Sequence, residues 1–256
     1  MMGSGAELVG RTIDGRYEIL RLLGEGAMGS VYVARQLAMD REVAVKVIHP
    51  DLLSQSRAVG RFMQESRAVS SLHHPNVVTV HDFGRSEDGM LYLVMEHLHG
   101  VTLEALLAHG ALPLDRALPI AAQLCSGLEA AHSRGVVHRD LKPVNAMLCQ
   151  AEGFGPLVKI LDFGIASVFD QDSHFTQDGH VVGTPAYMAP EQATGQAVGP
   201  AADLYALGTV LYHMLAGALP FDVASASVMM AARSQTDAPP CLPGRGSRSP
   251  TRSSAS

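Results

Sequence analysis

Apolar positions recur along this chain in two rhythms, and the change from one to the other divides it. Tyr17 to Leu23 and Val31 to Arg35 alternate or run apolar, with β-branched and aromatic residues and a glycine-rich turn between them, which predicts a hairpin. Glu42 to Ile48 predicts a third strand, Ala58 to Leu72 a helix, and Val77 to Val80 and Leu91 to Met95 two more strands. After His99 the period becomes helical, over Thr102 to His109 and Asp115 to Ser133. In the second segment Ala117, Leu118, Ala121, Leu124, Cys125, Leu128 and Ala131 form one apolar face. Pro119 is expected in its first turn, where a missing N–H removes no helical bond. Leu204 to Leu215 is apolar nearly all round, which predicts a helix surrounded by other elements. The pattern is α+β: a sheet lobe with one main helix, then a mostly helical lobe.

Composition changes this picture little until the last residues. Of 256 residues 47% are apolar and 17% charged, enough to bury a large core. From Asp237 to Ser256 the chain turns to Pro, Gly, Ser and Arg, too poor in apolar residues to offset the entropy of ordering, so a disordered tail is expected. A net charge of −6 argues against a nucleic-acid binder that relies on phosphate neutralisation. Cys125, Cys149 and Cys241, odd in number and without CxxC spacing, suit reduced thiols and a cytoplasmic setting. No apolar run reaches the roughly 18 residues of a membrane span. The twelve histidines, including His73-His74 and His97 with His99, have no cysteine or carboxylate cluster at ligand spacing, so solvated or capping roles are expected for them.

Chemistry concentrates in a few motifs. Gly24-Glu25-Gly26-Ala27-Met28-Gly29-Ser30-Val31 is a weak signal alone, because dinucleotide-binding folds share it. There the glycines open a helix, whereas Ser30 to Arg35 reads here as a strand. The loop is then a hairpin tip whose backbone N–H groups can close over phosphates. Val43-Ala44-Val45-Lys46 puts a lysine within an apolar strand, a placement that is costly without an anion. Glu65 on the predicted helix is its expected partner. His138-Arg139-Asp140-Leu141-Lys142-Pro143-Val144-Asn145, followed by Asp162-Phe163-Gly164, completes an ordered set of five motifs.

On these residues the chain, from Tyr17 to about Met230, resembles the eukaryotic-type (Hanks-type) serine/threonine protein kinases, including their bacterial members. The resemblance implies a bilobal fold: a kinase domain over 17–236, with lobes 17–98 and 99–236, preceded by an extension over 1–16. It implies ATP and Mg2+ as cofactors and proteins bearing Ser or Thr as substrates. Asp140 would accept or orient the proton of the attacking hydroxyl, Lys142 would lie by the γ-phosphate, and Asn145 and Asp162 would hold magnesium. Lys142, with Gly183-Thr184-Pro185-Ala186-Tyr187, points to Ser/Thr substrates, and Thr184 matches the threonine that contacts Asp140 and Lys142. Met95 to Leu98 would be the interlobe hinge: Glu96 and Leu98 would offer backbone groups to adenine, Ala44 and Met147 would pack on its faces, and Gly24 to Gly29 with Val31 would cover the phosphates. Arg139 implies a phosphorylated activation segment, with Thr176 foremost and then Ser173 as the site.

Departures from the family pattern are few. Val144 and Ala146 replace the Glu and Ile that often flank Asn145. Asp203 matches the aspartate that supports the catalytic loop, but the helices expected after Ala232 are absent, along with the arginine that normally pairs with Glu191. The expectation is a helical lobe lacking its last helices, with exposed apolar surface and a tendency to self-associate. The competing reading is a catalytically impaired ATP-binding fragment. Small-molecule kinases of the antibiotic-modifying type share a related aspartate but lack a segment like Gly183 to Glu191.

Overall fold

A computed structural model describes residues 5–53, 56–150, 155–163 and 185–221. Nine strands are described: β1 (Thr12–Ile13), β2 (Tyr17–Gly26), β3 (Gly29–Gln36), β4 (Arg41–Ile48), β5 (Val80–Arg85), β6 (Leu91–Glu96), β7 (Gly100–Thr102), β8 (Ala146–Cys149) and β9 (Leu157–Ile160). The helices are α1 (Ser56–Ser70), α2 (Leu103–Leu107), α3 (Leu114–His132), the single turn α4 (Pro190–Ala193) and α5 (Pro200–Ala216). The first six strands form one antiparallel sheet in the order β1-β2-β3-β4-β6-β5, and β7-β8-β9 form a small second sheet. The expected bilobal arrangement is present, with the sheet lobe first and the helices second.

Period-two alternation in β4 explains how the sheet is packed. Val43, Val45 and Val47 join Tyr17, Ile19, Tyr32, Tyr92 and Val94 in a core on one face. Ala44 and Ile48 point the other way, into the larger core with Phe62 and Val69 of α1 and Leu93 and Met95 of β6. Lys46 shares the side of Ala44 and Ile48. That core continues into the helical lobe through Leu124 and Leu128 of α3 and Ala206, Val210 and Met214 of α5. The lobes are also joined by main chain: Ile160 N–H donates to Asn76 O and Val78 N–H to Ile160 O, both at 2.9 Å.

Several elements differ from expectation for local reasons. The strand expected at Val77 to Val80 begins only at Val80, while Val77 makes an isolated bridge to Ile160. Pro119 is the sixth residue of α3, so it forfeits one helical bond rather than falling in the first turn. The first 16 residues do not all stand apart: Thr12–Ile13 pairs with β2, and Ile13 is buried among the tyrosines. Helix α5 buries a stripe, Ala202, Asp203, Ala206, Leu207, Thr209, Val210 and Met214, yet Leu204 is 58% exposed, so it is not enclosed on all sides. The expected tail over 237–256 lies outside the described residues.

Candidate active site

The glycine loop is the tip of the β2–β3 hairpin, with Gly26 opposite Gly29 and Ala27-Met28 as the two-residue turn. Its glycines have different reasons to be there. A Cβ on Gly29 would lie 2.0 Å from the Val47 carbonyl oxygen, so packing alone forbids a side chain. A Cβ on Gly24 would meet nothing within 4 Å, so packing does not demand glycine there, and the backbone is open to close approach by a ligand. Glu25 and Ala27 are exposed along this tip. His49 anchors it, its N–H donating to Met28 O and its Nε2 lying 3.0 Å from Gly26 O. Across the sheet, Val31 stands between Gly24 and Lys46 in register.

Lys46 is 7% exposed, and its ammonium needs an anion. The anion is Asp162, at 2.9 Å. Glu65, the partner expected from sequence, makes no ion pair with Lys46 within 4.0 Å; it is half-buried on α1. Alternation along β4 aims Lys46 at the cleft, where the carboxylate reaches it first. Burial works to raise the Asp162 carboxyl pKa, but the Lys46 charge and hydrogen bond outweigh it and hold the pKa below the ordinary carboxylate value.

The His138 to Asn145 segment is held by hydrogen bonds rather than by regular structure. Asp203, 1% exposed, accepts from His138 N–H and Arg139 N–H at 2.8 Å each, and its Oδ2 lies 2.7 Å from His132 Nε2. Arg139 has φ 66°, a left-handed conformation unfavourable by about 1–3 kcal/mol for such a residue, and the Asp203 bond holds it there. His138 Nε2 lies 2.8 Å from Leu161 O, while Nδ1 accepts from Asp140 N–H at 3.2 Å. These partners define the neutral tautomer with the proton on Nε2. The His138 ring meets Phe163 edge-on at 4.7 Å.

The reactive side chains then converge. Lys142 Nζ lies 2.8 Å from Asp140 Oδ2. Asn145 Nδ2 donates to Asp140 O at 2.8 Å and to Asp140 Oδ2 at 3.3 Å, which leaves the amide oxygen as the acceptor. The Asn145 carbonyl takes Leu161 N–H at 2.8 Å, one residue before Asp162. An amide oxygen and a carboxylate are hard donors of the kind magnesium accepts, so the residues present fit that ion.

At the hinge, Ala44 lies opposite Met95 in register. Glu96 uses its N–H on Thr79 O, and its carboxylate takes Thr79 N–H at 2.7 Å and Lys159 at 2.6 Å. Leu98 makes no backbone hydrogen bond among the described residues. Met147 lies on β8 opposite Thr102 and Lys159. Thr184, Thr176, Ser173 and the rest of 164–184 lie outside the described residues.

Sequence reasoning missed two positioning groups. Gln192 of α4 donates to Arg139 O at 2.6 Å and accepts from Ala189 N–H at 3.1 Å, and Lys159 fixes the hinge carboxylate. Both act across more than fifty residues, so no local signal marks them.

A hairpin loop over a cleft, a buried lysine paired to an aspartate, and an Asp-Lys-Asn cluster beside them resemble the arrangement of a protein kinase cleft. The chain belongs to the protein kinase family: residues 17–243 match the Protein kinase domain, and its relatives place it with the bacterial serine/threonine kinases. It is 45% identical over 239 residues to the serine/threonine-protein kinase pkn3 of Myxococcus xanthus, covering 91% of this chain and 43% of that protein. With PrkC of Bacillus subtilis (strain 168) it shares 40% over 233 residues, covering 91% of this chain and 35% of that protein. The chain thus spans less than half the length of these curated relatives. The crystal structure of the Mycobacterium tuberculosis PknI kinase domain superposes with a TM-score of 0.68 at 31% identity, covering 86% of this chain and 84% of that one.

Proposed function

We propose that this chain transfers the γ-phosphoryl group of ATP to Ser and Thr hydroxyls of proteins. One observation carries the reading: the Lys46–Asp162 pair and the Asp140–Lys142–Asn145 cluster are tied into one cleft by the Leu161 main chain. The β2–β3 loop would close its N–H groups over the phosphates, with Lys46 neutralising their charge. Leu98 offers its free backbone groups to the adenine edge. Asp140 would orient the substrate hydroxyl and take its proton as the new P–O bond forms and the bond to the ADP oxygen breaks. Lys142 balances the charge on that carboxylate. Asn145 and Asp162 would hold magnesium, which supplies charge neutralisation at the phosphate oxygens.

Lys46 engages Asp162 while Glu65 is out of ion-pair reach, which is the observation that favours a catalytically impaired nucleotide binder as the second reading. Radiolabelled ATP with a generic basic protein separates the two. The wild-type chain should label the acceptor, and Asp140→Asn should reduce the rate by about 10²- to 10⁴-fold. No transfer by the wild-type chain, or equal transfer by the variant, refutes the reading. The same proposal includes a cytoplasmic setting, supported by Cys125 and Cys149 standing as free thiols. It also includes self-association through the exposed Leu204 side of α5; sedimentation showing only monomer at all concentrations would remove that part.

A further inference from the structure

The hinge carries a second group of side chains unrelated to the nucleotide cleft. His97 and His99 lie in the short connection between β6 and β7. The β4–β6 register ends with Val43 opposite Glu96, so the next residues outward, Glu42 and His97, face one another. His97 Nδ1 is 2.9 Å from Glu42 Oε2, and the His97 and His99 rings are 4.5 Å apart at 59°. One ligand atom from each of the three residues lies within 4.8 Å of the others. No sequence spacing announced this, because the carboxylate comes from 55 residues upstream of His97.

We propose that Glu42, His97 and His99 bind a divalent transition-metal ion, with zinc the best fit. Two imidazoles and one carboxylate form a three-ligand set that leaves a fourth, open position, a donor set zinc commonly takes. Nitrogen donors also separate this site from the oxygen donors Asn145 and Asp162, which suit magnesium. Zinc bonds of about 2.0–2.1 Å put tetrahedral ligand atoms roughly 3.3 Å apart. The Glu42–His97 pair stands at 2.9 Å, and all three ligand atoms lie within 4.8 Å of one another. His97 is the fixed member, its side chain 6% exposed, whereas Glu42 is 53% exposed and free to turn. His99 is also exposed. The nearest cation in sequence, Arg41, is occupied by Gln36 at 2.8 Å and does not compete for Glu42. A bound ion would tie the end of β4 to the connection between the lobes.

The test is isothermal titration of Zn2+ into the chelator-stripped chain in excess Mg2+, with Co2+ as the spectroscopic probe. Wild type and Asp162→Asn should each take up one equivalent, with Co2+ giving the visible absorption of a tetrahedral nitrogen–oxygen site. His99→Gln and Glu42→Gln, both at exposed positions that spare the fold, should weaken binding by roughly tenfold to a hundredfold, the loss seen on disturbing even outer partners of a metal. No saturable uptake, uptake unchanged in both variants, loss in Asp162→Asn, or a sulfur-to-cobalt charge-transfer band would each overturn the proposal. None of these readouts depends on kinase activity, so failure of the catalytic reading leaves the metal site standing, and the reverse.

Discussion

Replacing Asp203 with Asn removes one oxygen from a carboxylate that serves three donors at once. Oδ2 receives His138 N–H and faces His132 Nε2, while Oδ1 receives Arg139 N–H. Whichever way the amide turns, its NH2 opposes at least one donor, and the surviving bonds lose their charge. A hydrogen bond to a charged group contributes about 1.5–3 kcal/mol, and a buried donor left unsatisfied costs about 1–3 kcal/mol. Placing the NH2 at Oδ1 is the smaller loss, because only Arg139 N–H is then opposed. That N–H is also the one holding Arg139 at φ 66°, so the residue would relax out of its strained conformation and draw Asp140 with it. The net expectation is a loss of about 2–4 kcal/mol. For a chain of this length that is a melting point lower by roughly 5–15 °C, together with a fall in kcat at little change in KM for ATP, since the nucleotide contacts lie elsewhere. Thermal denaturation of the full chain and steady-state phosphorylation measure the two effects. A melting point within about 1 °C of wild type, with kcat unchanged, would refute the claim that this carboxylate holds the catalytic loop.

The two glycines of the loop should part company. Gly29→Ala should destabilise by about 1–3 kcal/mol through overpacking against Val47, whereas Gly24→Ala should leave stability within about 0.5 kcal/mol and raise KM for ATP; denaturant melts and kinetics decide it. Lys46→Met should lower kcat by about 10²- to 10³-fold, as loss of one preorganised charge partner does. It should also change the acid response. The folded pKa of Asp162 is depressed, so the stability its ionisation provides is present above the unfolded value of 3.8 and lost as pH falls through the folded one. Lys46→Met should flatten that acid limb, and an unchanged limb would count against the pairing. His213, whose pKa burial lowers, shares a 2.8 Å hydrogen bond with the Tyr187 hydroxyl, whose own pKa burial pushes up to about 12. A depressed histidine gives stability that is present above its unfolded pKa of 6.5 and lost as pH falls below it. His213→Gln should therefore shrink the melting-point difference between pH 7.5 and pH 5, and an unaltered difference would remove His213 as its source.

Much of the sheet lobe was legible because alternation along β2, β3, β4 and β6 reports directly which face is buried. The short strands β7, β8 and β9 were not. Each has three or four residues, too few to show a period, and they form because tertiary neighbours pair them. In the candidate site, motifs nominated residues but did not always say whom they touch. Lys46 illustrates this: its charge implied an anion, and two carboxylates were available in sequence, but only the tertiary placement of β4 against the chain after β9 makes Asp162 the partner. Asp203 was legible through resemblance to the kinase family, whereas Gln192 was not, since a glutamine in a one-turn helix has no distinguishing pattern. The contact between Glu42 and His97 was not legible for the same reason, because linear spacing cannot see a carboxylate delivered by a neighbouring strand.

Leu161 gives its N–H to Asn145 and its carbonyl to His138, and in doing so joins two motifs without using its side chain. Evolution can therefore exchange that side chain for others of similar bulk while the stitch persists, and an alanine scan would report its packing against the core but not the stitch. Only a change to the backbone itself, such as proline at 161, would expose how much of the catalytic geometry hangs on one peptide unit.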